Sequence, residues 1–186
     1  YTADNILRIA KRFNNQKRTY LLVNPLQAKH IPVSPKASLG MMKALGDMLA
    51  NKYPDTKLVI GFAETATAIG AVVAESFSSK CVYKHTTREN VSGVVQWVQF
   101  MEEHSHATEQ SLVGDNLSAW ISATDSVVFV DDEISTGKTL PNMIEQLKYK
   151  YPQLKSKKIV AASLLNRVSE EDERKLITEC IVCEYL

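Results

Sequence analysis

The residues best placed to do chemistry lie in VVFVDDEISTGKTL, Val127 to Leu140, where an apolar run meets Asp131, Asp132 and Glu133 and then Ser135-Thr136-Gly137-Lys138-Thr139. A loop that wraps a nucleoside triphosphate needs Gly-x-x-x-x-Gly-Lys-Ser/Thr, because bare backbone must approach the phosphates closely. The position five before Gly137 is Asp132, whose carboxylate would repel a phosphate and whose Cβ would crowd the loop. The stretch makes better sense as two halves. Residues 135–139 open a helix, so backbone N–H groups, hydroxyls and the positive end of the helix dipole suit one phosphate monoester. Asp131 and Asp132 stand at the exit of the preceding strand, and carboxylates accept well from a vicinal diol. A ribose 5-phosphate satisfies both halves. A plain strand-to-helix turn with a capping Asp would need one acid, not a series.

The elements that must hold these residues follow from apolar periodicity. TYLLVN (19–24), KLVIG (57–61), CVYKHT (81–86), VVFV (127–130), KIVAASLL (158–165) and CIVCEYL (180–186) read as strands. Leu39, Met42, Leu45 and Leu49 recur at helical spacing until Lys52-Tyr53-Pro54-Asp55 stops them. Ala66, Ile69, Val73 and Phe77 mark a second helix, and Leu140, Met143, Ile144 and Leu147 a third, with Pro141 tolerable in its first turn. EEDERKL is a short charged helix between the last two strands. Strand-helix alternation with apolar strands predicts an α/β fold, a central and mainly parallel sheet flanked by helices. Ligands in such sheets bind beyond the strands' carboxyl ends, where strand order reverses. Residues 87–126 interrupt the alternation; GVVQWVQFMEEHSHATEQ within them is expected to be partly helical and to form a lid or binding arm.

Bulk properties narrow the class. At 186 residues with 45% hydrophobic and 23% charged side chains, the expectation is one globular domain over residues 1–186. A net charge of +1 gives no global field for nucleic acid or anionic lipid, and no apolar run approaches a membrane span. The basic cluster Arg8, Lys11, Arg12, Lys17 and Arg18 reads as a solvated face. A start on Tyr1 and an apolar end, CIVCEYL, suggest a segment cut from a longer chain with further domains. Cys81, Cys180 and Cys183 suit a reducing cytoplasm and are expected to be buried thiols acting as small hydrophobes. Cys180 and Cys183 spell CxxC, but no second CxxC completes a zinc site.

VVFVDDEISTGKT resembles the 13-residue phosphoribosyl-diphosphate (PRPP) motif of type I phosphoribosyltransferases. NPLQAKHIPVSP (24–35), GFAETATAIG (61–70), HTTRE (85–89) and EEHSHATEQ (102–110) extend the resemblance over nearly the whole chain. They are similar to the phosphoribosyltransferase domain encoded in bacterial tellurite-resistance and stress-response gene clusters. The resemblance implies transfer of 5-phosphoribosyl from PRPP to an unidentified acceptor in nucleotide-like metabolism, with magnesium and release of pyrophosphate. It also implies an N-terminal hood for the acceptor, a lid over the reacting centre and, as in many relatives, a homodimer. Two other readings stay open: a PRPP sensor without turnover, and an enzyme acting on another ribose 5-phosphate ester.

Residue by residue, the resemblance assigns Asp131 and Asp132 to the ribose diol, with Asp131 also a candidate magnesium ligand, and Ser135, Thr136, Gly137, Lys138 and Thr139 to the 5-phosphate. Glu64, Thr65, Ala66 and Thr67 match the pyrophosphate turn, where Glu64 would meet the metal's water shell. Lys84 and Arg88 flank the exit of the next strand; Arg88 is the stronger candidate for pyrophosphate because its fork can hold two oxygens. Lys29 and His30 fall in the hood. Glu103, His104 and His106 fall in the lid; on a helix the two histidines do not share a face, so they are not expected to form a zinc site. Trp97 and Trp120 are expected in the core.

Overall fold

The structure, a computed structural model, describes residues 1–11, 13, 19–27, 31–100, 110–135 and 139–186. The chain divides into two compact units, Tyr1–Met42 and Lys43–Leu186. In the first, a short helix α1 (Ala3–Ile6) precedes strands β1 (Arg8–Lys11) and β2 (Tyr20–Val23), which pair antiparallel with Arg8 opposite Val23. Asn24 is buried there; its Oδ1 accepts from the Leu26 N–H at 3.0 Å and its Nδ2 lies 3.1 Å from Met41 Sδ. Helix α2 (Pro35–Lys52) buries Met41, Met42, Leu45 and Leu49, whereas Leu39, expected on that face, is 51% exposed. The buried stripe runs through Ser38 and Met41, just to one side of Leu39.

The second unit carries a seven-stranded sheet of β3 (Leu58–Gly61), β4 (Val82–Thr87), β5 (Trp97–Phe100), β6 (Gln110–Val113), β7 (Ser126–Ile134), β8 (Lys158–Asn166) and β9 (Ile181–Tyr185). Its order is β5-β6-β4-β3-β7-β8-β9. The five strands from β4 to β9 in that order are parallel, while β6 runs antiparallel to both β4 and β5. The unit also contains the second part of α2 and the helices α3 (Thr67–Glu75), α4 (Leu117–Ser122), α5 (Thr139–Lys150) and α6 (Glu170–Thr178). On one face Leu58, Ile60, Val127 and Phe129 join Leu117 and Ile121 of α4 and Leu140, Met143, Ile144 and Leu147 of α5 in one buried cluster. Helix α3 lies close on β3 because two glycines meet there. A Cβ on Gly70 would come within 3.1 Å of the Gly61 Cα, and one on Gly61 within 3.0 Å of the Ala66 carbonyl.

The order of strands fixes where a ligand belongs. From β3 the chain steps to β4 on one side and later returns to β7 on the other. The carboxyl ends of β3 and β7 are therefore adjacent at the point of reversal.

Three further expectations need correction. Among the described residues of 93–110 there is no helix: Trp97 to Phe100 form β5 and pair with β6, Trp97 opposite Val113 and Phe100 opposite Gln110. The cause is the alternation of Val98 and Phe100, both 3% exposed, with Trp97 and Gln99, a two-residue rather than a helical period. Secondly, Asp131 and Asp132 lie within a strand, not at its exit, because β7 continues along β8 to Ile134 opposite Asn166. Thirdly, Cys180 is exposed; it takes a left-handed φ of 60° just after α6 ends, with its N–H donating to the Ile177 carbonyl. Cys81 and Cys183 are half-buried, and burial pushes each thiol up to about 11. Alkylation at about pH 8 should therefore modify Cys180 first, since thiols of that pKa are only about one part in a thousand thiolate there. Labelling of Cys81 and Cys183 should rise as pH approaches 11, read by peptide mass spectrometry; equal rates for all three at pH 8 would overturn this ordering.

Candidate active site

β3 ends at Gly61, opposite Val130 of β7, so residues 131–134 project beyond β3. The room that a longer β3 would occupy is filled by the turn 62–66, which leads into α3. That turn is held at several points. At its start the Phe62 N–H donates to the Val130 carbonyl at 2.9 Å, continuing the ladder by one bond. The Ala63 N–H donates to Thr86 Oγ1 of β4 at 2.7 Å. In its middle, Thr65 Oγ1 donates to Asp132 Oδ1 at 2.8 Å. At its end the Tyr83 hydroxyl donates to the Thr67 carbonyl at 2.6 Å. The Ala63–Glu64 peptide is cis.

The two parts of the sequence assigned to ribose and to pyrophosphate thus meet, through Thr65 and Asp132, which are 67 residues apart. Asp131 is tied locally: its Oδ1 accepts from the Asp132 N–H at 2.8 Å. Asp131 and Asp132 are both half-buried. Glu133 turns to another partner, accepting from Arg167 Nη1 at 2.9 Å.

The remaining assigned residues fall as follows. Glu64 is exposed, Thr65 and Thr67 are half-buried, and Ala66 is fully buried with its N–H donating to the Phe62 carbonyl at 3.0 Å. Arg88 is exposed one residue past the end of β4, two beyond the Thr86 that anchors the turn. Lys84 is half-buried within β4, its Nζ 3.4 Å from the Asp115 carbonyl. Ser135 follows the end of β7, and Thr139 opens α5. Thr136, Gly137 and Lys138 of the phosphate loop, Lys29 and His30 of the hood, and Glu103, His104 and His106 of the lid lie outside the described residues. The ends of the last segment are nonetheless fixed: Phe100 and Gln110 face each other at the carboxyl edge of the sheet, since β6 starts beside the end of β4. Trp97 and Trp120 are half-buried, Trp120 against the main core cluster.

Sequence reasoning missed Tyr83, Thr86 and Gln110. The Thr86 hydroxyl, fully buried, accepts from Ala63 and donates to Gln110 Oε1 at 2.9 Å. A threonine and a tyrosine in a strand are unremarkable on their own, and only the pairing of β4 with β3 and β6 gives these their partners. Gly61 and Gly70 in GFAETATAIG carried a faint signal of close strand–helix approach.

Comparison with solved structures gives the same fold. The chain is similar to adenine phosphoribosyltransferase of Giardia lamblia complexed with 9-deazaadenine, with a TM-score of 0.63 and 16% identity over 98% of this chain and 94% of that one. Orotate phosphoribosyltransferase of Aeropyrum pernix is similar at a TM-score of 0.57 and 17% identity, over 95% of this chain and 85% of that one. Trypanosoma brucei adenine phosphoribosyl transferase, in complex with AMP, pyrophosphate and ribose-5-phosphate, gives 0.56 and 16% over 87% of this chain, which spans 64% of that chain's length. At these identities the likeness is one of fold. No curated protein matches the chain by sequence. The sequence model of the phosphoribosyl transferase family, however, matches residues 6–182, and with that match the chain belongs to the phosphoribosyltransferase family.

Proposed function

We propose that this phosphoribosyltransferase transfers the 5-phosphoribosyl group of PRPP to an unidentified acceptor and releases pyrophosphate, with residues 1–186 acting as one domain. The observation that carries the assignment of the site is the Thr65–Asp132 hydrogen bond across the point of strand reversal. It sets Asp132 of β7, an acid that would hold the ribose diol, beside the turn where a diphosphate on ribose C1 would lie. Asp131 and Asp132 would accept from the ribose hydroxyls and steady the positive charge that develops at C1 as the bond to pyrophosphate lengthens. Ser135 to Thr139, at the start of α5, would bind the 5-phosphate and hold the sugar in register. The amides of Ala63 and Ala66 are committed within the protein, so pyrophosphate would be met by the amides of Glu64 and Thr65, with Thr67 and the fork of Arg88.

Magnesium fits this donor set. The groups at hand are carboxylates, the hard oxygen ligands that the ion prefers. Among the described residues no group of three His, Cys, Asp or Glu side chains converges to hold a metal. Asp131 would thus add one oxygen to those of PRPP and water, and magnesium would supply charge neutralisation at the leaving diphosphate. The structural neighbours that carry adenine- or orotate-transferase names suggest a planar nitrogen heterocycle as acceptor. The motifs shared with the domain of tellurite-resistance gene clusters support placing the chain in that branch, in the cytoplasm, with Lys29, His30, Glu103, His104 and His106 as candidates for acceptor contact or closure. Among the described residues no helix is long and apolar enough to cross a membrane.

Calorimetric titration tests the proposal. PRPP with magnesium is expected to bind in the micromolar range, and ATP with magnesium at least tenfold more weakly, on the order expected when one ligand fits a diol-and-phosphate site and the other is repelled by it. Tighter binding of ATP would sink the assignment. Pyrophosphate release across a panel of heterocycles would then identify the acceptor class; tight PRPP binding without any release would favour a sensor.

A further inference from the structure

We propose that Thr86 and Gln110 are positioning residues for the pyrophosphate turn, an inference that rests on the transferase reading above. Three atoms form a directed relay. The Ala63 N–H donates to Thr86 Oγ1 at 2.7 Å, and the Thr86 hydroxyl proton goes to Gln110 Oε1 at 2.9 Å. A threonine hydroxyl has one proton to give. With Gln110 taking it, the oxygen must present lone pairs to Ala63, and the direction of the relay is fixed. Ala63 is the residue before Glu64 and Thr65, whose amides are assigned to pyrophosphate. Thr86 is 0% exposed, so water cannot stand in for either partner.

The relay also joins three elements that share no local sequence. Ala63 follows β3, Thr86 is in β4 and Gln110 opens β6, the arm that pairs antiparallel with β4 at Thr86–Leu112 and Thr87–Ser111. The first residue of that arm thus sets the orientation of a group in the turn two strands away. Tyr83 fixes the other end of the turn from the same strand β4, through the Thr67 carbonyl. A purely structural buried threonine would need only to be paired. Here the paired amide heads the segment that would touch the leaving group, so the effect of losing it should be selective.

The test compares Thr86→Val, Thr86→Ser and Gln110→Leu by calorimetric titration with magnesium pyrophosphate, magnesium PRPP and ribose 5-phosphate. Thr86→Val keeps the shape but leaves the Ala63 N–H without its acceptor. It should weaken pyrophosphate and PRPP roughly tenfold, as expected for one unmet, half-buried donor at the head of the turn. Ribose 5-phosphate affinity should stay within about twofold, because that ligand is held by the β7–α5 loop. Thr86→Ser, which restores the hydroxyl, should recover most of the loss, and Gln110→Leu should fall between. Unchanged pyrophosphate affinity in Thr86→Val, or equal weakening of pyrophosphate and ribose 5-phosphate, would overturn the positioning role. Failure of the unmodified protein to bind PRPP and pyrophosphate would overturn the transferase reading itself, and this inference with it.

Discussion

Replacing Asp131 and Asp132 together by asparagine should lower kcat/KM for PRPP by about a hundredfold to a thousandfold while leaving the fold intact. The size follows from what is removed: two negative charges next to a carbon that becomes positive in the transition state, in a half-buried site where charge is poorly screened. The fold should survive because the hydrogen bonds from Thr65 and from the N–H of residue 132 are kept. A carboxamide oxygen at 132 can still accept from Thr65 Oγ1, and one at 131 can still accept from the backbone N–H of residue 132. The single variants separate the two roles. Asp132 is tied to the pyrophosphate turn, so Asp132→Asn should affect pyrophosphate inhibition as well as PRPP turnover. Asp131→Asn should act on the ribose and metal side alone. Steady-state kinetics with PRPP varied, together with thermal melts, decide it. A double variant with full activity would mean that the acids only shape the end of β7 and the turn beside it.

That prediction rests on the part of the molecule most legible in the sequence. The apolar run at 127–130 and the i, i+3, i+4, i+7 face of Leu140, Met143, Ile144 and Leu147 are local patterns, and each falls where its period puts it. Local patterns also gave α3 and the charged helix α6, whose Ser169 side chain accepts from the Asp172 N–H as a cap. What could not be read is what depends on pairing. Whether the acids end a strand or sit inside one is decided by β8, whose length gives β7 partners as far as Ile134. WVQF is short, and its period of two was outweighed by the long polar stretch that follows it. Its strand character shows once β6 is beside it. The anchors of the turn, Tyr83, Thr86 and Gln110, have side chains of ordinary type in ordinary places. Their importance lies in partners 16 to 24 residues away. Leu39 fell to a simpler cause, a stripe on α2 displaced by a fraction of a turn.

The largest loss of stability should come from Phe129→Ala. Phe129 is wholly buried at the centre of β7, the middle of the parallel strands, among the side chains of α4, α5 and the neighbouring strands. Truncating such a ring removes its transfer free energy and leaves a cavity that a strand hydrogen-bonded on both sides cannot close, about 3–5 kcal/mol in all. For a chain of this length that amounts to a fall in Tm of roughly 10 °C. The loss should also reach the site. The Phe129 ring lies 6.1 Å from that of Phe62 with 13° between the planes, and Phe62 is the first residue of the pyrophosphate turn. Without its neighbour Phe62 can sink toward the cavity and draw Ala63 away from Thr86. Phe129→Leu, which refills most of the volume, should cost about 1–2 kcal/mol and leave the turn in place. Thermal unfolding of both variants, with and without PRPP and magnesium, separates the two effects. Ligand that binds only the folded state raises Tm in proportion to RT ln(1 + [L]/Kd), so a displaced turn shows as a smaller rise in Phe129→Ala than in Phe129→Leu. Equal rises would mean that the turn is held by its hydrogen bonds to β4 and β7 alone, and a Tm loss of only a degree or two would mean that the strand relaxes far more freely than its packing implies.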